Sequence, residues 1–99
     1  MTPFKQSVGA RLELLDAIHY YNRQRPGLGE EFITEAEQLI IAIRANPLRW
    51  APDERGRRKA LMKRFRYKLI SRICSEEIFL IAAAHNKHVP GSWETRDRD

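Results

Sequence analysis

Ninety-nine residues, 42% of them hydrophobic and 31% charged, provide for one modest hydrophobic core over residues 1–99 and leave no room for a second. The longest apolar run, residues 78–84, is far short of a membrane span, and the N-terminus lacks the layout of a secretory signal; no membrane association and a cytoplasmic, bacterial setting are expected. Cys74 is the sole cysteine, which excludes an internal disulfide, and its apolar neighbours suggest a small core residue.

Charge is distributed unevenly along the chain. Residues 1–54 carry six Lys/Arg against eight Asp/Glu, whereas residues 55–99 carry twelve against five. Between Arg55 and Arg72 there are nine basic residues and no acidic one. Such a block points to a polyanion or an acidic protein as partner, or else to a solvated face that keeps the chain dispersed.

In chain order, a weak strand signal covers residues 3–6. Helical periodicity follows, with Leu14, Ala17, Ile18 and Tyr21 on one face and Ser7 placed to cap the first turn. Pro26 stops this helix, because the residue before proline is pushed out of the helical region. Gly27-Leu28-Gly29 reads as a flexible corner. A second helix carries Phe32, Ala36, Leu39, Ile40 and Ile43 as its apolar stripe, with Glu30 and Glu31 at its start and Arg44 at its end complementing the dipole. Asn46-Pro47 ends it, and so short a link predicts an antiparallel helical hairpin.

Beyond an irregular loop over residues 48–56 the period becomes that of strands. Phe65, Tyr67 and Leu69 alternate with Arg64, Arg66 and Lys68. Strands are expected over residues 58–65, 67–75 and 78–85, with tight connections near Arg66 and at Glu76-Glu77. The last strand is apolar on both sides and should lie in the middle of the sheet or beneath the helices. The expected architecture is α+β: a helical hairpin packed on a small antiparallel sheet, in the order β-α-α-β-β-β.

The same order, with the residues that fill it, resembles the RelE/ParE superfamily of toxins from type II toxin–antitoxin systems, which includes plasmid stabilisation proteins. The resemblance is carried by Ala10, Glu13, Leu14, Ala17, Tyr20 and Tyr21, then by Arg25-Pro26-Gly27-Leu28-Gly29 and Glu31-Phe32. Asn46-Pro47 follows, then Arg58, Leu61, Lys63, Arg64, Phe65 and Tyr67, and finally His85, Pro90, Trp93 and Arg96. Two kinds of departure stand out. Arg66 occupies a position where many members have proline, while His88 and Ser92 stand where arginine and tyrosine are usual.

The resemblance implies a cognate antitoxin as partner and either of two targets. Members that stall DNA gyrase need only a complementary surface. Members that cut messenger RNA on the translating ribosome need a proton acceptor, a proton donor and cations beside the phosphate. His85, His88 and Arg64 are the candidates for that chemistry, since imidazoles can exchange protons near neutral pH. Serine at position 92 is shorter than tyrosine, cannot stack on a base and is a poor acid, so the gyrase branch ranks first. Arg58, Lys63, Arg64, Arg66, Lys87, Trp93 and Arg96 are the candidate contacts for partner or target. Trp93 can stack on a nucleobase or pin the C-terminus to the core. No cofactor is implied, and no metal site is expected from His19, His85 and His88, because neither cysteine nor carboxylate completes a compact set. A non-enzymatic nucleic-acid-binding module ranks third, for want of a groove-reading helix or an RNA-binding aromatic motif.

Overall fold

The structure, a computed structural model, describes residues 2–86. Strand β1 (Phe4–Gln6) leads into helix α1 (Val8–Gln24), which is followed by α2 (Leu28–Ala45) and a short 3-10 turn (Pro47–Arg49). Strands β2 (Arg57–Leu61), β3 (Tyr67–Cys74) and β4 (Glu77–His85) complete the order. The four strands form one sheet in the order β1-β4-β3-β2. Pairing is antiparallel from β2 through β4, as expected, but β1 joins parallel to β4, which makes the sheet mixed. The parallel arrangement follows from the crossover: the chain leaves β1, traverses both helices and two strands, and returns alongside it.

The apolar β4 lies between β1 and β3, so both its edges are paired, and its side chains are buried on both faces. Ile78, Leu80 and Ala83 join Ala10, Leu14, Ala17, Phe32, Ala36, Ile43 and Leu69 in the core beneath the helices. Ile81, Ala82 and Ala84 join Ile70 in a second buried cluster, against which Phe79 packs. A β-bulge makes this possible. Ile70 pairs with Ala82 and Ser71 with Leu80, leaving Ile81 as the extra residue.

The N-terminus of α1 satisfies the backbone that the bulge disturbs. The buried Ser7 hydroxyl donates to the Ile81 carbonyl at 2.7 Å and accepts from the Ala10 N–H at 2.9 Å, so one side chain caps the helix and pins the bulge. One turn along, the Glu13 carboxylate accepts the Ala83 N–H at 3.1 Å. A buried N–H or carbonyl left unmatched here would be costly, which explains polar residues on the inner side of an otherwise apolar contact.

Four sequence expectations are corrected. The second strand ends at Leu61 rather than at residue 65, and residues 62–66 form an irregular connection. Met62 and Phe65 are both buried although they are three residues apart, a spacing that a flat strand cannot place on one face. The β3–β4 turn falls at Ser75-Glu76, not Glu76-Glu77; both residues have positive φ, 49° and 66°, as the right-handed twist of a two-residue hairpin requires. Gly29 lies inside α2 and not in the corner. Cys74, at the end of β3, is exposed and belongs to no core. Gly27 does turn the chain, with φ of 89°.

Candidate functional site

The α1–α2 corner, the 62–66 connection and the end of β4 meet at one edge of the molecule. They enclose an open cleft of about 350 Å³ lined by Tyr20, Tyr21, Gln24, Leu28, Arg64, Phe65, Arg66 and His85. Its inner wall is an aromatic cluster. The Phe32 ring lies 5.4 Å from Tyr21, 5.3 Å from Phe65 and 5.2 Å from Tyr67, and His85 sits edge-on to Tyr67 at 5.4 Å. The last contact follows from strand register, since Tyr67 pairs directly with His85. Burial pushes the Tyr67 phenol up, as do the neighbouring tyrosines and acids; burial and then Tyr20 do the same for Tyr21.

Across the connection lies a second cleft of about 430 Å³, lined by Glu35, Gln38, Leu39, Ala42, Arg49, Trp50, Leu61, Lys63 and Arg64. Its floor is apolar: Leu61 remains 60% exposed, and Trp50 and Leu39 are half-buried. Its rim is basic. The Arg49 guanidinium lies over the Trp50 ring at 5.0 Å, and Arg64 lies over Phe65 at 5.4 Å. Arg64 therefore borders both clefts.

Two carboxylates of α2 meet the connection, Glu35 at its backbone and Glu31 at a side chain. Glu35 accepts the backbone N–H of Lys63 at 2.5 Å and that of Arg64 at 3.3 Å. Glu31 accepts from the Arg64 guanidinium at 2.6 Å and from Arg25 at 3.2 Å. The Arg64 hydrogen bond chiefly holds the Glu31 carboxyl below its ordinary range, against a smaller desolvation effect and with help from Arg25. The Arg64 guanidinium is correspondingly held further up, mainly by Glu31.

The loop entering β2 has its own anchor. Asp53 Oδ1 accepts the N–H groups of Arg55 and Arg57, each at 2.9 Å, and Oδ2 accepts from Arg57 Nε at 3.1 Å. Burial alone would raise this carboxyl, but the two backbone N–H groups and the Arg57 charge bring it below its ordinary value. Pro52 forms a bridge to Arg58 that covers part of the β2 edge.

The structure thus brings Arg64, Arg66 and His85 of the sequence candidates to one cleft, while Lys63 lines the other. Lys63, Arg64 and Arg66 are exposed and His85 is half-buried. Arg58 is placed differently: its guanidinium donates to the Trp50 carbonyl, and its Nε is buried, so it fastens the 3-10 segment to β2. Lys87, His88, Pro90, Ser92, Trp93 and Arg96 lie outside the described residues. Sequence reading missed Glu35, Trp50 and Asp53, and gave Glu31 no partner beyond the helix dipole. Glu35 lies 28 residues from the N–H it binds, beyond any local pattern.

No family model matches the sequence, and no curated protein is similar to it at a significant level. Among solved structures, the chain is similar to one described as "Chromosomal ParDE TA system from P. aeruginosa". The likeness covers 86% of this chain and 96% of that one at a TM-score of 0.76 and 16% identity. The fold, two helices on a four-stranded mixed sheet in the order β-α-α-β-β-β among the described residues, is shared with that structure.

Proposed function

We propose that this chain is the toxin of a type II toxin–antitoxin pair, a ParE-like inhibitor of DNA gyrase that a cognate antitoxin keeps silent. The observation that carries the reading is the fold it shares, along nearly the whole of both chains, with the ParDE structure. The exposed basic connection at the cleft edge adds a surface for macromolecular contact. Inhibition by occupation of a surface requires no proton transfer, only a complementary face.

The groove of about 430 Å³ beside α2 is the proposed antitoxin seat. Leu39, Trp50 and Leu61 would receive apolar side chains of a segment that folds as it docks, and Arg49, Lys63 and Arg64 would meet its acidic ones. A second reading, ribosome-dependent cleavage of messenger RNA, is favoured by one observation: His85 shares a cleft with Arg64 and Arg66.

The two mechanisms separate in a pair of assays on the purified chain, one following supercoiling by gyrase and the other following message cleavage on translating ribosomes. The expected result is loss of supercoiling with the message intact, reversed by antitoxin. Codon-positioned cuts with gyrase unaffected would transfer the proposal to the second reading, and His85→Ala should then slow cleavage by about 10²–10⁴-fold.

A further inference from the structure

Two guanidinium groups from distant parts of the chain converge on Glu31, in the first turn of α2, and one of them, Arg64, also lines the neighbouring groove. Arg25, the residue that ends α1, lies 3.2 Å from Glu31 Oε2, and Arg64 lies 2.6 Å from Oε1. All three side chains face solvent, with 58%, 59% and 37% of the Arg25, Arg64 and Glu31 side chains accessible. Ion pairs this exposed add little to stability and exchange readily. Nor is Glu31 required to hold the connection, because Glu35 already takes the backbone N–H groups of Lys63 and Arg64. What Glu31 accomplishes is to offset part of the charge of a pair of arginines and occupy the converging donors they would otherwise present to an incoming anion. Paired guanidinium forks are well suited to binding a carboxylate.

We infer that Glu31 is an internal stand-in for a partner's carboxylate: it occupies the Arg25–Arg64 clamp in the free chain and yields it when an acidic protein segment docks along α2. The inference rests on the reading of this groove as a protein-binding seat. The ligand is assigned as a peptide carboxylate rather than a nucleic-acid phosphate because Arg64 also borders the apolar floor of Trp50 and Leu61. A segment with both apolar and acidic side chains matches both features, whereas a sugar–phosphate backbone would leave the floor unused.

The test uses the full chain and its Glu31→Gln and Arg25→Gln variants, each checked by thermal unfolding. The probes are a short synthetic peptide alternating leucine and glutamate and a single-stranded oligonucleotide of equal charge. Glu31→Gln should bind the peptide about two- to tenfold more tightly at low salt. That gain should shrink as salt screens the clamp and should vanish in the Arg25→Gln, Glu31→Gln double variant. Arg25→Gln alone should weaken peptide binding, a result independent of any effect of the glutamine. Equal or weaker peptide binding by folded Glu31→Gln would overturn the stand-in role while leaving the groove as a seat. Binding of the peptide by no variant would overturn both. A gain confined to the oligonucleotide would overturn the carboxylate assignment.

Discussion

Replacing Phe32 with alanine is expected to cost about 3–5 kcal/mol of folding stability. Phe32 has no solvent exposure, and its ring is flanked by those of Tyr21, Phe65 and Tyr67, so truncation opens a cavity between helix and sheet. Because neighbouring rings are rigid and already in contact with one another, they cannot collapse into the space, which places the loss toward the upper end. A domain of this size has roughly 5–15 kcal/mol in total, and each kcal/mol shifts the melting temperature by roughly 4–8 °C. Thermal unfolding followed by circular dichroism should therefore show a fall well beyond ten degrees, about half of which would be a clear surprise. Leu12→Ala is the control: Leu12 is 54% exposed on the outer face of α1 and should melt close to the parent chain. Phe32→Ala would also disturb the candidate site, since the Phe65 and Tyr67 rings that it supports form the inner wall.

Gly29→Ala is the second large effect. A Cβ at this position would stand 2.4 Å from the Ile18 carbonyl oxygen and 2.7 Å from the Asn22 side-chain nitrogen. The asparagine can rotate, although doing so forfeits its 2.8 Å hydrogen bond from the Gly29 N–H. The Ile18 oxygen is backbone and cannot, so the two helices must separate. Alanine returns roughly 0.8–1 kcal/mol of helix propensity. Overpacking typically costs about 1–3 kcal/mol and occasionally more, and an overlap with fixed backbone belongs at the top of that range. The expected balance is a loss of about 2 kcal/mol, read from denaturant unfolding. An increase in stability would mean that the helices do not approach as closely as the structure has them.

Much of this fold is legible from local pattern. Ser7 and Pro26 bound α1 because capping and proline sterics act within a few residues. The stripe from Phe32 to Ile43 marks α2, and the unbroken apolar run of β4 marks the strand with a neighbour on either side. What escaped depends on contacts distant in sequence. Phe65 alternates with Tyr67 and Leu69 as a strand residue would, yet the connection leaves strand geometry because Glu35, on another element, supplies an acceptor for its N–H groups. Gly29 reads as part of a turn because glycine permits a turn; its actual cause is the Ile18 carbonyl on the facing helix. Cys74 has apolar neighbours in sequence but sits where a hairpin turns out to solvent.

The site was visible in part for the same reason. Arg64, Arg66 and His85 were identified from basic patterning and strand-end placement, and register brings them to one cleft. The pairing of Arg64 with Glu31 and Arg25 was not visible, because three segments must fold before those charges meet. Basic charge alone suggested an open cationic surface, whereas the folded chain offsets its central arginine internally.

Expression of the intact chain by itself in a growing bacterial culture is the most direct measurement of the proposed toxin role. Growth should stop soon after induction, and co-expression of the proposed antitoxin should restore it, with both proteins recovered as one complex. Undiminished growth of cells that accumulate the folded chain without any partner would contradict that role.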